Sequence, residues 1–301
     1  MHRTISQELK KVYGQKVYKL SLSSGCTCPN RDGKISTGGC TFCSAGGSGD
    51  FAAPFEDIGE QIRYARQKVD AKIPARIRPE DRKYIAYFQS YTNTYGDTDR
   101  LMHLYAETIQ RPEIVTLSLG TRPDCLESDK MSMLCRLNQI KPVWVELGLQ
   151  TTNEETARRI NRGYHLQTFA DSYRRLKESG LTVIVHVIFG LPGEKPEDMM
   201  QTIRYLADTL APGDGIKIQL LHVLKGTKLC DEYRENPFHI LTLDEYCELT
   251  HEALSLLPDD IIIHRLTGDG PKALLVAPLW SADKKKVLNT MRERLKDQIQ
   301  L

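Results

Sequence analysis

Short runs rich in β-branched, aromatic and other apolar residues recur along the chain. Between most of them, apolar positions return every three or four residues. The first pattern predicts strands at Val17–Leu22, Tyr84–Gln89, Ile114–Leu119, Val143–Gly148, Leu181–Phe189 and Ile216–Leu221. The second predicts amphipathic helices at Phe55–Val69, Asp99–Gln110, Ser128–Asn138, Gln167–Ser179 and Pro196–Leu210. Strands separated by one helix each imply right-handed β-α-β units and a parallel sheet. Six such units form either a partial (β/α)6 TIM-type barrel or an open doubly wound sheet. After residue 230 the pattern changes to more helix, a short apolar strand at Ile261–His264 and a charged terminal helix. Residues 1–230 are therefore expected to form the main α/β domain, and 231–301 a C-terminal α/β extension that caps it.

Composition narrows the class. With 301 residues, 40% hydrophobic and 27% charged, the chain has material for a sizeable core and does not read as disordered. The first residues contain no apolar run resembling a secretion signal, and no segment approaches the roughly 20 apolar residues that span a bilayer. A cytoplasmic protein without membrane contact is expected. The eight cysteines are then ligands or reduced core thiols rather than a disulfide framework. A net charge of +2 selects no partner.

The chemistry concentrates after the first strand. Cys28, Cys40 and Cys43 lie in one loop (26–47), with Gly38-Gly39 and Gly46-Gly47 beside them. Three thiolates suit an iron–sulfur cube and leave one iron open. With Cys26 the set also numbers four, as in a zinc site, although Cys26-Thr-Cys28 is too tight for a zinc knuckle. A disulfide pair is the third reading. Beyond the loop, every predicted strand ends in polar or glycine-rich sequence: Gln89-Ser-Tyr-Thr-Asn93, Gly120-Thr-Arg-Pro-Asp124, Gln150, Gly190-Leu-Pro-Gly-Glu194, and His222 with Lys225-Gly-Thr227. In a parallel barrel these ends share one mouth.

These residues carry a family resemblance. The stretches Thr27–Gly33, Gly38–Cys43, Gly47–Phe51, Gln89–Asn93, Gly120–Cys125, Trp144–Gln150, Asn161–Gly163, His186–Glu194 and Arg265–Asp269 are involved. Along nearly its whole length the chain resembles the radical S-adenosylmethionine (SAM) enzymes. More narrowly it resembles their YtqA/YhcC-type group, relatives of the elongator catalytic subunit and, more distantly, of the oxygen-independent coproporphyrinogen oxidase. Eleven residues separate Cys28 from Cys40, where three are common in the superfamily; the longer gap is this group's own pattern.

The resemblance implies a partial barrel in which Cys28, Cys40 and Cys43 hold a [4Fe-4S] cluster. SAM would bind the fourth iron and be cleaved reductively to a 5′-deoxyadenosyl radical that abstracts hydrogen from substrate. It assigns Gly46 and Gly47 to the methionine amino group and Arg162 to the methionine carboxylate. Gln150 is assigned to the ribose or methionine, and Gly190 to packing along the adenine. His186 stands where some relatives place an acidic ribose or adenine contact, with a satisfied core histidine as the other reading. Gln89 and Arg122 are expected in the cofactor pocket, with an Arg122–Asp124 structural pair as the other reading. Cys26 is read as a bystander and Cys125 as a buried thiol.

For the substrate, the resemblance points to a tRNA wobble uridine in 5-aminomethyl-type modification, with a flavodoxin or ferredoxin as electron donor. Two basic stretches, Lys72–Lys83 and Lys284–Lys296, offer contacts to phosphates. Arg265–Asp269 and Ala277–Trp280 are expected to cap the mouth. The competing functions are an iron–sulfur electron carrier or sensor and a zinc-stabilised RNA-binding module.

Overall fold

Strands β1 (Tyr18–Leu22), β2 (Tyr84–Phe88), β3 (Ile114–Thr121), β4 (Val143–Gln150), β5 (Thr182–Phe189) and β6 (Gly215–Leu220) form where the apolar runs predict them. The protein is described from a computed structural model covering residues 1–47, 49–268 and 270–300. Ser48 and Asp269, which belong to two of the matching stretches, lie outside the described residues. All residues of β2 and β3 are buried, as expected for parallel strands covered on both faces.

The six strands pair in parallel and in sequence order, and a seventh, β8 (Ile262–Arg265), adds to β6. A doubly wound sheet reverses its strand order at a switch point. Here the order is monotonic, so the sheet is the curled wall of a partial barrel. Residues beyond 230 do more than cap it, because β8 completes the wall. A two-stranded antiparallel ribbon, β7 (Val223–Leu224) with β9 (Leu275–Ala277), follows the ends of β6 and β8.

The helices on the outer face are α2 (Ile58–Val69), α3 (Thr98–Gln110), α4 (Ser128–Asn138), α6 (Leu166–Glu178) and α7 (Pro196–Thr209). Periodicity did not reveal α1 (Ile5–Tyr13), α5 (Glu154–Arg159) or α8 (Lys228–Glu235), each nine residues or shorter. Two longer helices, α9 (Leu243–Leu256) and α10 (Lys284–Arg294), complete the extension. Side-chain caps hold several helix starts: Asp57 for α2, Asp97 for α3, Asn153 for α5, and a Thr242/Glu245 capping box for α9. The core lies between wall and helices; Phe88 of β2, for example, meets Tyr105 of α3 edge to face at 4.9 Å. No described helix is long and apolar enough to cross a membrane.

The first basic stretch does not face the mouth. Residues 72–83 precede β2 and so sit at the N-terminal end of the barrel, opposite the strand ends. Several of its charges are spent locally, Arg82 on Asp70 at 3.0 Å and Arg78 on Asp81 at 2.8 Å. The second stretch is different. Lys284, at the start of α10, borders a small hollow shared with Leu220 and Gly268, at the mouth end.

Candidate active site

β1 ends at Leu22, and the chain then runs without regular structure to α2. This loop is held by polar side chains rather than by a core. The Asn161 Nδ2 donates to Gly39 O at 2.8 Å, and Asn30 Nδ2 donates to Asn161 O at 2.6 Å. The Thr41 amide bonds Ile160 O at 3.0 Å. Arg31 reaches across to the carbonyls of Cys43 and Ser44. The loop is thus pinned to the segment after α5, which carries Asn161 and Arg162.

Cys28, Cys40 and Cys43 line a cavity of about 420 Å³ at the C-terminal ends of the strands. Burial and the neighbouring Cys43 push the Cys40 thiol up to about 12, so a thiolate there calls for nearby positive charge. Asn30 Nδ2 lies 3.7 Å from the Cys40 sulfur. Cys26 belongs elsewhere: it is buried in the main core, with Arg100 Nη2 3.4 Å from its sulfur, and it does not line the cavity. Among the described residues, no three His, Cys, Asp or Glu side chains converge to hold a single metal ion.

Of the other expected contacts, Gly47, Gln89, Arg122, Gln150, Arg162 and His186 line the same cavity, whereas Gly46 and Gly190 do not. Gly47 has φ +61° and presses on the Tyr91 ring; a Cβ there would stand 2.3 Å from Cδ1. Gly190 faces Leu241 rather than the cavity, with a Cβ position 3.1 Å from that side chain. Arg122 forks onto both Asp124 oxygens at 2.8 and 2.7 Å and donates to Arg162 O at 2.8 Å. Its guanidinium is committed within the protein, which favours the structural pair.

Arg162 is almost wholly buried, at 1% exposure. Its Nη1 donates to the carbonyls of Leu149 and Thr151 at 3.0 and 2.7 Å, and its Nε to Tyr164 O at 3.0 Å. These bonds bracket Gln150, which has a left-handed backbone (φ +64°) at the end of β4. The Arg162 Nη2 has no hydrogen-bond partner and approaches only Glu154, at 3.5 Å. A buried donor left open beside a cavity is costly unless a ligand satisfies it. The Gln150 Oε1 accepts from the Tyr164 hydroxyl at 3.0 Å.

Apart from His186, the floor of the cavity was not read from the sequence. Lys19 of β1, Tyr87 of β2, Ser118 of β3, Glu146 of β4, His186 of β5 and Lys217 of β6 gather inside the barrel around one carboxylate; Tyr87, Glu146, His186 and Lys217 line the cavity, and Lys19 and Ser118 stand behind Glu146. Glu146 accepts from Lys19 Nζ and Ser118 Oγ at 2.7 Å each and pairs with His186 Nε2 at 2.7 Å; Lys217 contacts it directly. Burial alone would push Glu146 up, but Lys19, Lys217 and the His186 hydrogen bond hold it well below the usual carboxylate range. Burial, reinforced by the Lys217 charge, lowers His186 to about 4 despite Glu146, so its ring is neutral near pH 7. His186 thus lines the cavity while its Nε2 is satisfied internally, as a core histidine would be. A charged residue inside each of three apolar runs (Tyr-Lys19-Leu, Val-Glu146-Leu, Ile-Lys217-Ile) was the sequence signal.

Residues 27–206 match the Radical SAM superfamily and residues 213–297 the Radical_SAM C-terminal domain. The chain is 39% identical over 297 residues to the protein YtqA of Bacillus subtilis, covering 98% of this chain and 90% of that one. It is 36% identical over 274 residues to the protein YhcC of Escherichia coli, covering 91% and 85%. Among solved structures it resembles the archaeal Methanocaldococcus infernus Elp3 with an N-terminal deletion, at a TM-score of 0.66 and 18% identity, over 94% of this chain and 64% of that one. The chain belongs to the radical SAM superfamily, whose enzymes use a [4Fe-4S] cluster and SAM. The residues present fit both groups. Three cysteines of one loop line the cavity, as a cluster needs, and the buried Arg162 guanidinium, whose Nη2 lacks a hydrogen-bond partner, suits a carboxylate.

Proposed function

We propose that this radical SAM enzyme abstracts hydrogen from a tRNA wobble uridine during 5-aminomethyl-type modification. The observation that carries the reading is a single cavity in which the cysteine loop, Gln150 and Arg162 form one wall and Glu146, His186 and Lys217 form the floor. An electron carrier needs no such chamber. When bound, the cluster and SAM supply a 5′-deoxyadenosyl radical at the cysteine wall; Cys28, Cys40 and Cys43 would hold the cluster.

The chain's own residues bind, orient and exclude water. Arg162, fixed by three carbonyls, offers Nη2 to the methionine carboxylate, and Gln150 is aimed by its left-handed backbone and by Tyr164. A substrate base would stand between the cysteine wall and the floor residues. Exposed lysines in segments after the ends of β6 and β8, namely Lys225, Lys228, Lys272 and Lys284 to Lys286, supply positive charge at the rim for a nucleic-acid backbone.

Nucleoside mass spectra of tRNA from cells with and without the gene test the substrate. The expected result is loss of one 5-substituted wobble uridine and accumulation of its precursor, restored by the wild-type gene but not by a Cys43→Ala version. Unchanged tRNA nucleosides, with SAM cleavage intact in the purified enzyme, would move the substrate elsewhere.

A further inference from the structure

Among the described residues, the cavity floor and the side chains behind it carry more positive charge than Glu146 neutralises. His186 of β5 is the register partner of Lys217 of β6, and Lys217 is the register partner of Arg265 of β8. Register partners on a parallel sheet project to the same face, and all three line the cavity. The row therefore faces inward across three neighbouring strands.

Among the described residues, the cavity is lined by two carboxylates, Asp50 and Glu146. Asp50 accepts from Ser44 Oγ at 2.8 Å on the cysteine loop. Glu146 is already shared between Lys19, Lys217, His186 and Ser118. The Arg265 guanidinium makes no hydrogen bond or ion pair with any described residue, its backbone pairing aside. It is half-buried, beside the Lys217 it is registered with. Among the described residues, Lys19 behind Glu146 and Arg265 on the cavity wall outnumber that carboxylate whether or not Lys217 holds its proton. Gln219, which also lines the cavity, adds an amide donor to this wall. An open guanidinium fork in a concave, partly desolvated site matches a planar or tetrahedral oxyanion.

We propose that Arg265, backed by Lys217 and Gln219, forms an oxyanion subsite that receives a carboxylate or phosphate group of the substrate. The inference rests on the reading that a substrate occupies this cavity beside SAM, and it adds that the substrate is anionic at the end remote from the cysteine loop. Lys19 and Lys217 then serve Glu146 and set the charge of the floor, and Arg265 makes the direct contact.

The test uses the full chain with its cluster reconstituted and SAM bound. Inorganic phosphate and acetate are titrated separately and followed by ligand-observed NMR, in the wild type, Arg265→Gln and Arg265→Lys. At least one anion should saturate the wild type, and Arg265→Gln should weaken it about 10-fold or more, the range of a charge-assisted hydrogen bond. Arg265→Lys, which keeps the charge and loses the fork, should fall between. Weakening of phosphate alone identifies a phosphate group, and weakening of acetate alone a carboxylate. Melting temperatures establish that each variant is folded, and the Lys variant carries the comparison if the Gln variant is not. The proposal is overturned if neither anion saturates the wild type, or if both bind the variants as tightly as the wild type. Formation of 5′-deoxyadenosine by the wild type, measured alongside, shows separately whether the radical SAM reading holds.

Discussion

His186 Nε2 stands 2.7 Å from Glu146 Oε2, and the pair defines what each can do. Because Glu146 is held ionised and His186 neutral, the proton belongs on Nε2, and Nδ1 is left as an acceptor facing Gln219 Nε2 at 3.4 Å. A residue expected to touch the cofactor is thereby oriented from behind by a carboxylate on the adjacent strand.

Glu146→Gln removes the buried anion shared by the buried Lys217 and the half-buried Lys19, so it should destabilise the fold by about 3–5 kcal/mol. Urea unfolding measures this. Adding Lys217→Met to Glu146→Gln should recover part of the loss, since one orphaned charge is gone. A Glu146→Gln variant within about 0.5 kcal/mol of wild type would show that the floor is not paired as described.

Gly47→Ala places a Cβ against the Tyr91 ring at a backbone angle that favours glycine. Strain of roughly 1–3 kcal/mol is expected at that site. It falls on the loop that positions Cys43, so iron bound per chain after anaerobic reconstitution should drop clearly below wild type. Full iron loading of this variant contradicts the packing.

The left-handed backbone at Gln150 gives a comparison independent of ligands. Alanine keeps the steric cost there and glycine does not, a difference of about 1 kcal/mol. Gln150→Gly should therefore unfold at higher urea than Gln150→Ala, while both bind SAM more weakly than the wild type. The reverse order of stability would mean that residue 150 is not left-handed in solution.

Burial raises Glu194 from 4.5 to about 7, with the Thr151 hydroxyl only partly compensating. The folded state thus keeps a proton that the unfolded chain releases, and stability from this group falls as pH rises from about 4.5 to 7, then levels off. Glu194→Gln has no such loss. Its melting temperature relative to wild type should climb across that window and stay constant above it; a pH-independent difference rules out the buried, protonated carboxyl.

Much of this was legible in the chain. The six strands of the wall were readable because buried parallel strands are continuous apolar runs, and Ser128–Asn138 because its apolar face repeats cleanly. The three cysteines that line the cavity were readable as one loop because they lie close together in sequence. What escaped notice depends on residues far apart in sequence. Lys19, Glu146 and Lys217 meet only after the sheet curls, and each alone looks like a stray charge in a strand. The seventh strand was placed in a separate extension because nothing local says that Ile262–Arg265 pairs with β6. The position of the basic stretch at 72–83 was hidden for the same reason: charge is visible in sequence, but the end of the barrel it occupies follows from where β2 begins.

The central claim, that Cys28, Cys40 and Cys43 form the reactive loop and Cys26 does not, has a direct measurement. Wild type, Cys26→Ser and Cys43→Ser are reconstituted anaerobically, reduced with dithionite and given SAM, and 5′-deoxyadenosine is quantified against bound iron. About four irons per chain and sustained 5′-deoxyadenosine formation are expected for wild type and Cys26→Ser, with both lost in Cys43→Ser. A Cys26→Ser protein that loses its cluster, or a fully loaded wild type that leaves SAM intact, would contradict the account.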